Sequence, residues 1–363
     1  MKNDPQLHPA FKRYLAFNKN YPNIKAEYQK FDRWYFENKA HSKHKDGVYV
    51  PADVLASNST YLTENFSHEL MGMHTLIKDV SEMNHNELKV MSFINGFKMF
   101  QAWRMSLSIY TIDNDIFTEM LKATIPTDMP SDVFKMLPDF CVYIEFPRLL
   151  NMREINSHLP PNIDLQIKGF WAYLNYPLSG INQTELNICA DILPSDDYPD
   201  TLSCVSMIID NDLTVEQSAD LVFEQYKGMS TAQAKIMAEA DKLALYAYLP
   251  ILLWLCAEEP DITNMMGEPL TIEQVRQPKY QQKKRGQFIP PNSPRIYKLG
   301  QRLGGKIREF KEEIAQSESD ARKTKTIRPH IRKGHWHGYW EGSGQDKHYV
   351  PKWLAAIFVN AAS

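Results

Sequence analysis

Hydrophobic positions divide the chain into helical and strand-like stretches in an order typical of an α+β fold. Apolar side chains recur at helical spacing in four stretches, where we predict helices. These stretches are Asn86–Ile109, Thr214–Tyr226, Thr231–Cys256 and Arg295–Ile314. Between the first two lie four short runs rich in β-branched and aromatic residues. They are Cys141–Phe146, Gly169–Tyr176, Glu185–Leu193 and Leu202–Asp210. Because no helical crossover separates these runs, we predict an antiparallel meander sheet packed against long helices.

The third predicted helix has the pattern of a core element. Over its second half it is apolar on all sides, which is typical of a helix at the centre of a fold. Pro250 lies inside it and removes one backbone donor. Just beyond it, the turn residues around Asp261 predict a carboxylate that accepts hydrogen bonds from backbone amides. Thr214 is a suitable N-cap for the helix before it.

Polarity and charge divide the chain into three regions. Residues 1–85 lack a sustained apolar period after Tyr28, so we expect a mainly helical N-terminal region with a loose loop near residues 40–60. Residues 86–275 contain the predicted sheet and long helices, and form the α+β body. Residues 276–363 form a basic helical arm and then aromatic, strand-like runs, which predict a terminal β-ribbon packed on the body.

The composition is that of a folded, soluble protein, with 43% hydrophobic and 23% charged residues. The longest apolar run, Leu243–Ala257, has 15 residues and contains a proline, whereas a membrane span needs about 20. The first residues, Met1–Tyr14, are charged where a secretory leader would be apolar. We therefore expect a cytoplasmic protein without a membrane partner.

The four cysteines are widely spaced and lie in apolar surroundings. They have neither the C-x-x-C spacing of a zinc site nor the density of a disulfide scaffold. We expect reduced thiols in the core at all four positions, which are Cys141, Cys189, Cys204 and Cys256.

Charge is distributed unevenly along the chain. Between Arg276 and Lys333 there are 17 lysines and arginines against 5 aspartates and glutamates, although the net charge of the whole chain is −3. Lys283, Lys284 and Arg285 form the densest cluster of this basic arm. Such clusters attract phosphate backbones through counterion release. The arm therefore predicts contact with RNA or the ribosome surface, and the alternative is a solvated helix face.

The densest group of binding side chains lies between Arg328 and Trp340. Within 13 positions it contains three histidines, three cationic side chains and three aromatic ones. Guanidinium groups bind carboxylates, phosphates or carbonyls, while tryptophan and tyrosine stack on bases or peptide side chains. The segment predicts a peptide- or RNA-binding site. Its candidate residues are Arg328, His330, Arg332, His335, Trp336, His337, Tyr339 and Trp340.

A purely structural role is the main alternative for this segment. On a strand, His335 and His337 face one side and Trp336 faces the other. The aromatic side chains would then simply cover the sheet. The rings concerned are those of Trp336, Tyr339, Trp340 and Trp353.

Catalysis and metal binding have weaker support in the sequence. The phosphate-binding, dinucleotide-binding, nucleophile-elbow and zinc-protease motifs are absent from the sequence. A zinc site needs three or four ligands. Beside His335 and His337, the remaining candidates show no recognised spacing, namely His330, Glu341 and His348. We expect no metal and no cofactor, and we assign no catalytic residue.

Several segments together resemble the second type V-A anti-CRISPR family, which protects phages and plasmids from the type V-A CRISPR nuclease. The similarity runs in order through most of residues 90 to 360. It does not include residues 1–85, which the resemblance therefore implies are a divergent N-terminal extension. It lies in Ala102–Tyr110, Leu137–Tyr143, Ile167–Ala172, Leu252–Thr263, Arg328–Trp340 and Ile357–Asn360.

This resemblance implies a blocker of effector biosynthesis in the host bacterial cytosol. Family members recognise the N-terminal polypeptide of the effector as it emerges and cause translation-dependent loss of its mRNA. The expected partners are therefore this peptide and, through the basic arm, the ribosome or the message. The rival hypotheses are a ribonuclease that uses His335 and His337 as acid and base, and an RNA-binding regulator. A DNA-binding regulator is disfavoured because no helix-turn-helix spacing is present and the body is acidic.

Overall fold

The computed structural model describes most of the chain. The described residues are 8–21, 23–39, 48–51, 85–155, 165–176, 184–193, 202–224, 232–276, 290–320, 330–332, 334–344, 347–354 and 357–359. The α-helices in them are α1 (Pro9–Asn20), α2 (Ile24–Lys39), α3 (His85–Arg104), α4 (Asn114–Met120), α5 (Met152–Ile155), α6 (Val215–Glu224), α7 (Ala232–Cys256), α8 (Ile272–Arg276) and α9 (Gln301–Asp320). A 3-10 helix lies at Ser131–Met136.

The strands form one large sheet and two small ribbons. They are β1 (Tyr49–Val50), β2 (Ser108–Ile112), β3 (Cys141–Asn151), β4 (Gln166–Asn175), β5 (Thr184–Ile192), β6 (Ser203–Ile209), β7 (Ile262–Thr263), β8 (Pro269–Leu270), β9 (Arg295–Leu299), β10 (His330–Arg332), β11 (His335–Glu341), β12 (His348–Leu354) and β13 (Ile357–Val359). Within the described ranges, the large sheet has nine strands in the order β6-β5-β4-β3-β2-β9-β7-β8, with β1 paired to β4. The ribbons are β10–β13 and β11–β12.

The α+β class is confirmed, but the sheet is mixed. Strands β3 to β6 pair antiparallel in chain order. Strand β2 is parallel to both of its neighbours, β3 and β9, and β1 is parallel to β4. The predicted antiparallel meander therefore describes only part of the sheet, because the chain returns through helices before β3 and β9 are added beside β2.

Alternate residues of the central strands face two cores, because successive side chains of a strand point to opposite faces. Tyr143 and Trp171 lie in a core shared with α1, α2 and α3. Ile144 and Phe170 lie in a second core shared with α4, α6 and α7. The central strands are thus buried on both faces, which is why they are apolar almost throughout.

Helix α3 ends earlier than the apolar pattern predicts. The predicted range Asn86–Ile109 is a helix only as far as Arg104. Leu107 has a φ of 49° and turns the chain, and β2 then begins at Ser108. The apolar residues on both sides of this turn made one helix and one buried strand look like a single pattern.

Beyond Arg276, the first described element of the basic arm is a strand and not a helix. Arg295–Leu299 is β9, which pairs in parallel with β2, so the predicted helix Arg295–Ile314 is wrong in its first turn. The buried residues of this strand, Tyr297 and Leu299, alternate with partly exposed ones. Gly300 follows with a φ of 74°, and α9 begins at the next residue. A side chain at this glycine would meet Ile116 at 2.7 Å.

Helix α9 is joined to the body by Asp261, which is 2% exposed. Its carboxylate accepts hydrogen bonds from the backbone amides of Arg302 at 2.9 Å and Leu303 at 3.0 Å. It also accepts one from the guanidinium of Arg302 at 2.7 Å. The prediction that this aspartate accepts from backbone amides is confirmed, although the amides belong to a helix some forty residues further along the chain.

The cysteine prediction is wrong for one pair. Cys189 of β5 and Cys204 of β6 stand opposite each other in the antiparallel register and form a disulfide. The strand pairing brings the two thiols together, and their spacing of 15 residues gave no sign of it. Cys141 and Cys256 are buried thiols. Burial raises the pKa of the Cys141 thiol well above its usual value.

Asp241 on helix α7 should make the stability of the protein depend on pH. Burial raises the pKa of Asp241 from 3.8 to about 6. Because the folded state then holds this proton more tightly than the unfolded state, stability falls as the pH rises from about 4 through about 6. Asp241→Asn should stabilise the protein at pH 7 by about 1–2 kcal/mol, and the gain should disappear near pH 4. Melting temperatures at the two pH values check this, and an equal gain at both would contradict it.

Candidate functional site

The strands β11 and β12 form the antiparallel ribbon that contains most of the predicted binding residues. Their register pairs Trp336 with Trp353, His337 with Lys352 and Trp340 with Tyr349. Directly opposed side chains of an antiparallel pair lie on the same face. His335, His337 and Tyr339 therefore share one face of the ribbon, and Trp336 and Trp340 share the other.

One end of the ribbon is anchored in the body by tryptophan packing. Trp336 is 3% exposed, and its ring lies 6.4 Å from that of Trp254 on α7 and 5.4 Å from that of Trp353. Trp254 and Trp353 lie 6.0 Å apart, so the three rings form one cluster. The ring of Trp336 is therefore covered by the body, which favours the structural alternative for this residue over its predicted binding role.

The other end of the ribbon presents aromatic rings to solvent. Tyr339 is 41% exposed and Trp340 is 52% exposed. The ring of His337 meets that of Tyr339 edge-on at 4.6 Å. Trp340 meets Tyr349 edge-on at 5.2 Å, and the ammonium group of Lys347 lies 5.2 Å from the Trp340 ring centroid. We call this exposed end of the ribbon the ribbon tip. His337 and Tyr339 lie on one of its faces, and Trp340, with Lys347 against its ring, lies on the other.

A glycine shapes the ribbon tip. A side chain at Gly338 would collide with Tyr349, because a Cβ atom at residue 338 would lie 1.7 Å from the Tyr349 hydroxyl oxygen. The Tyr349 side chain therefore lies across β11 at Gly338, and its ring meets that of Trp340 edge-on. Burial, helped by the negative charge of Asp128, raises the pKa of the Tyr349 phenol to about 12. The phenol is neutral at physiological pH and can donate a hydrogen bond.

The charged side chains around the ribbon tip have both signs. Lys347, Lys352 and His348 are exposed on β12 or directly before it. Glu341, at the end of β11, is also exposed. A surface of aromatic rings bordered by both cations and a carboxylate can form hydrogen bonds with peptide groups and pack on side chains.

The remaining predicted site residues are placed apart from the ribbon tip or lie outside the described residues. His330 and Arg332 belong to β10, whose partner is β13 and not β11. Arg328, Lys283, Lys284 and Arg285 lie outside the described residues. In the part of the chain that the structure describes, no three histidine, cysteine or acidic side chains are grouped to hold a metal ion.

The predicted set missed the contribution of β12. Lys347 and Tyr349 border Trp340 on one face of the ribbon, and Lys352 stands opposite His337 on the other. The run at 348–354 is rich in aromatic and β-branched residues and lies close to the run at 335–341, which gave a usable signal, since two such runs close together in a chain predict a hairpin.

None of the described helices is both long enough and apolar enough to cross a membrane. Helix α7 is the most apolar of the long ones, and its second half is buried between the sheet and the ribbon. Its hydrophobicity is therefore explained by its place in the core.

Comparison of folds and sequences identifies the class of this protein. The crystal structure of AcrVA2 matches it with a TM-score of 0.65 and 30% sequence identity, over 97% of this chain and 99% of that chain. A family model for AcrVA2-like proteins matches residues 110–361. A search of curated proteins gives no match. The shared fold and the family match define an anti-CRISPR protein.

The chain belongs to the anti-CRISPR type V subtype A2 family. The resemblance found in the sequence is thereby confirmed. The family supports an anti-CRISPR role against type V-A systems. The matched region includes the sheet from β2 onward, helix α7 and both small ribbons, so it contains the ribbon tip.

Proposed function

We propose that this protein recognises the N-terminal polypeptide of the type V-A effector nuclease as it leaves the ribosome, and triggers translation-dependent loss of its mRNA. The family match supports the choice of system. The ribbon tip supports a binding function, because Tyr339 and Trp340 expose aromatic area that the body does not cover. Exposed rings on a rigid, anchored ribbon are well suited to pack on side chains at small entropic cost.

The charge pattern of the ribbon tip favours a polypeptide over RNA as its ligand. The exposed carboxylate of Glu341 adjoins Trp340 in the chain and would repel a phosphate backbone. A polypeptide offers N–H donors to this carboxylate and carbonyl acceptors to Lys352 and His337. The single observation that carries the proposal is this exposed, mixed-charge aromatic surface in a chain of the anti-CRISPR family.

A reporter experiment tests peptide recognition. The reporter mRNA begins with the first few dozen codons of the effector, and its level is measured with and without this protein. One control recodes those codons synonymously, and a second shifts their reading frame. We expect loss of the recoded mRNA and survival of the frameshifted one. Loss that follows the RNA sequence and ignores the reading frame would refute recognition of a polypeptide.

A ribonuclease is the second candidate, because His335 and His337 lie on the same face of β11. Acid–base cleavage of RNA needs two such groups and no metal. The purified protein is incubated with a generic RNA in the presence of a chelator. Under the proposed function the RNA stays intact. RNA cleavage by the wild type that His337→Ala abolishes would establish the ribonuclease. Recognition of the nascent polypeptide would then not be needed to explain loss of the mRNA.

The basic arm gives a separate prediction. Changing Lys283, Lys284 and Arg285 together to glutamate should weaken association with ribosomes or RNA at least tenfold, because phosphate contacts supply most nonspecific affinity. Binding of the isolated effector peptide should be unchanged. Co-sedimentation with ribosomes over a salt series measures the effect. If the triple variant sediments like the wild type at every salt concentration, the arm is only a solvated surface.

A further inference from the structure

A cavity outside the ribbon lies between α1 and α3, and its volume is about 160 Å³. Its floor is formed by the buried residues Phe93, Phe100 and Leu202. Its walls include Phe17 and Tyr21 of α1. Four of these five side chains are aromatic, so the cavity is lined mainly by ring faces and edges.

The rings around the cavity hold one another in place. Phe17 lies 5.0 Å from Phe100 and 5.7 Å from Phe93, measured between ring centroids. Tyr21 lies 4.4 Å from Phe93. Gly96 permits this packing, since a side chain there would lie 2.8 Å from the Phe17 ring. The cavity is thus bounded by a fixed aromatic cluster.

A cation completes the wall. Arg13 of α1 lines the cavity, and its guanidinium donates hydrogen bonds to the carboxylate of Asp191 and to the carbonyl of Ile192. Asp191 also accepts a hydrogen bond of 2.7 Å from the hydroxyl of Tyr143. This network holds the guanidinium over the ring of Trp171, 5.9 Å from its centroid, so Arg13 already engages an aromatic face at the edge of the cavity.

The mouth of the cavity is polar and accessible. Ala16 and Asn20 of α1 are exposed, and Ser92 of α3 faces them across the opening. Leu202 directly precedes β6, which is the terminal strand of the sheet order among the described residues. The cavity therefore adjoins the start of the outermost described strand, and the edge of a sheet is where an extended polypeptide can add as a further strand.

We propose that this cavity is a side-chain pocket that takes the phenyl ring of an aromatic residue of the target polypeptide. A cavity of about 150 Å³ in another protein binds benzene, so the volume here suits a single ring. The four surrounding rings can meet this ring edge-to-face. The polar mouth leaves the peptide backbone in solvent. The choice of occupant rests on the proposed function, whereas the affinity of the cavity for a phenyl group does not.

The direct test measures binding of N-acetyl-L-phenylalaninamide to the full chain by ligand-observed NMR. We expect a dissociation constant on the order of 1 mM, as for a small ligand that buries one ring. N-acetyl-L-alaninamide and N-acetyl-L-leucinamide should bind at least tenfold more weakly. Failure of the phenylalanine probe to bind would overturn the proposal, and equal binding of the leucine probe would overturn its aromatic selectivity.

Two cavity-filling variants locate the binding. Ala16→Phe and Ser92→Phe place a ring at the mouth from opposite walls, and each should weaken probe binding at least tenfold. Leu15→Phe is the matched control, because Leu15 is exposed on α1 and does not line the cavity. Unchanged melting temperatures show that the folds are intact. Probe binding that survives both filled variants would place it elsewhere and refute the assignment.

The same variants separate this proposal from the proposed function. In the reporter experiment, Ala16→Phe should lose most silencing, and Leu15→Phe should keep it. If the wild type silences and the folded Ala16→Phe variant silences equally well, the occupant is not the target polypeptide. If the wild type does not silence at all while the phenylalanine probe binds, the proposed function fails and the affinity of the pocket for phenyl groups stands.

Discussion

Trp336→Ala should lower the free energy of unfolding by about 3–5 kcal/mol and the melting temperature by several degrees. The side chain is 3% exposed and packs against the rings of Trp254 and Trp353. Its removal leaves a cavity between the ribbon and α7, and the two remaining tryptophans cannot fill it without leaving their own contacts. Chemical denaturation with a fluorescence readout measures the loss.

Trp340→Ala is the matched control on the same strand. Trp340 is 52% exposed, so its removal should cost less than about 1 kcal/mol. In the reporter experiment this variant should lose silencing while it keeps its melting temperature. A large loss of stability in Trp340→Ala, or full silencing by it, would show that the ribbon tip covers the body and does not bind a partner.

Predictions from the sequence were most accurate where a local pattern of residues extends over a whole helix or helix end. Helix α7 begins one residue after its predicted start at Thr231 and ends, as predicted, at Cys256. The predicted N-cap of α6 is confirmed, because the amide of Gln217 donates to the Thr214 hydroxyl at 3.2 Å and the Thr214 amide donates to the Gln217 side chain at 2.9 Å. Both features depend on neighbouring residues only, so local pattern is enough to predict them.

Features that depend on distant partners were missed. Strand β9 is held by β2, which lies nearly 190 residues earlier in the chain, and nothing within Arg295–Leu299 indicates that pairing. The disulfide likewise depends on the register of β5 and β6. In both cases the decisive information is which strands are neighbours, and a single sequence without homologues does not contain it in local form.

The candidate site was predicted only in part, because it also depends on which elements are neighbours in the fold. Strand alternation correctly separated His337 from Trp336, since one is exposed and the other is buried. Trp336 and Trp340 share one face of the ribbon, and alternation does not show that the body covers only one end of that face, so the pattern assigns both residues to binding. The aromatic cavity between α1 and α3 was not predicted, because its rings come from helices more than 70 residues apart.

Asp261→Ala should be the second most damaging substitution, with an expected loss of about 3 kcal/mol in the free energy of unfolding. The buried carboxylate accepts from two amides at the start of α9 and from the guanidinium of Arg302. Without it, the first amides of α9 lose their partner and the helix end is left uncapped inside the protein.

The conservative substitution Asp261→Asn tests the hydrogen bonds that cap α9 separately from the ion pair with Arg302. Asp261→Asn keeps one carbonyl oxygen that can accept from the amides of Arg302 and Leu303 but loses the ion pair with the exposed Arg302 side chain. Because pairs with an exposed partner contribute little, it should cost only about 1 kcal/mol. Arg302→Ala should cost no more than that, since its amide remains. Denaturation curves of the three variants decide the matter: equal losses in all three would show that the ion pair, and not the helix cap, joins α9 to the body.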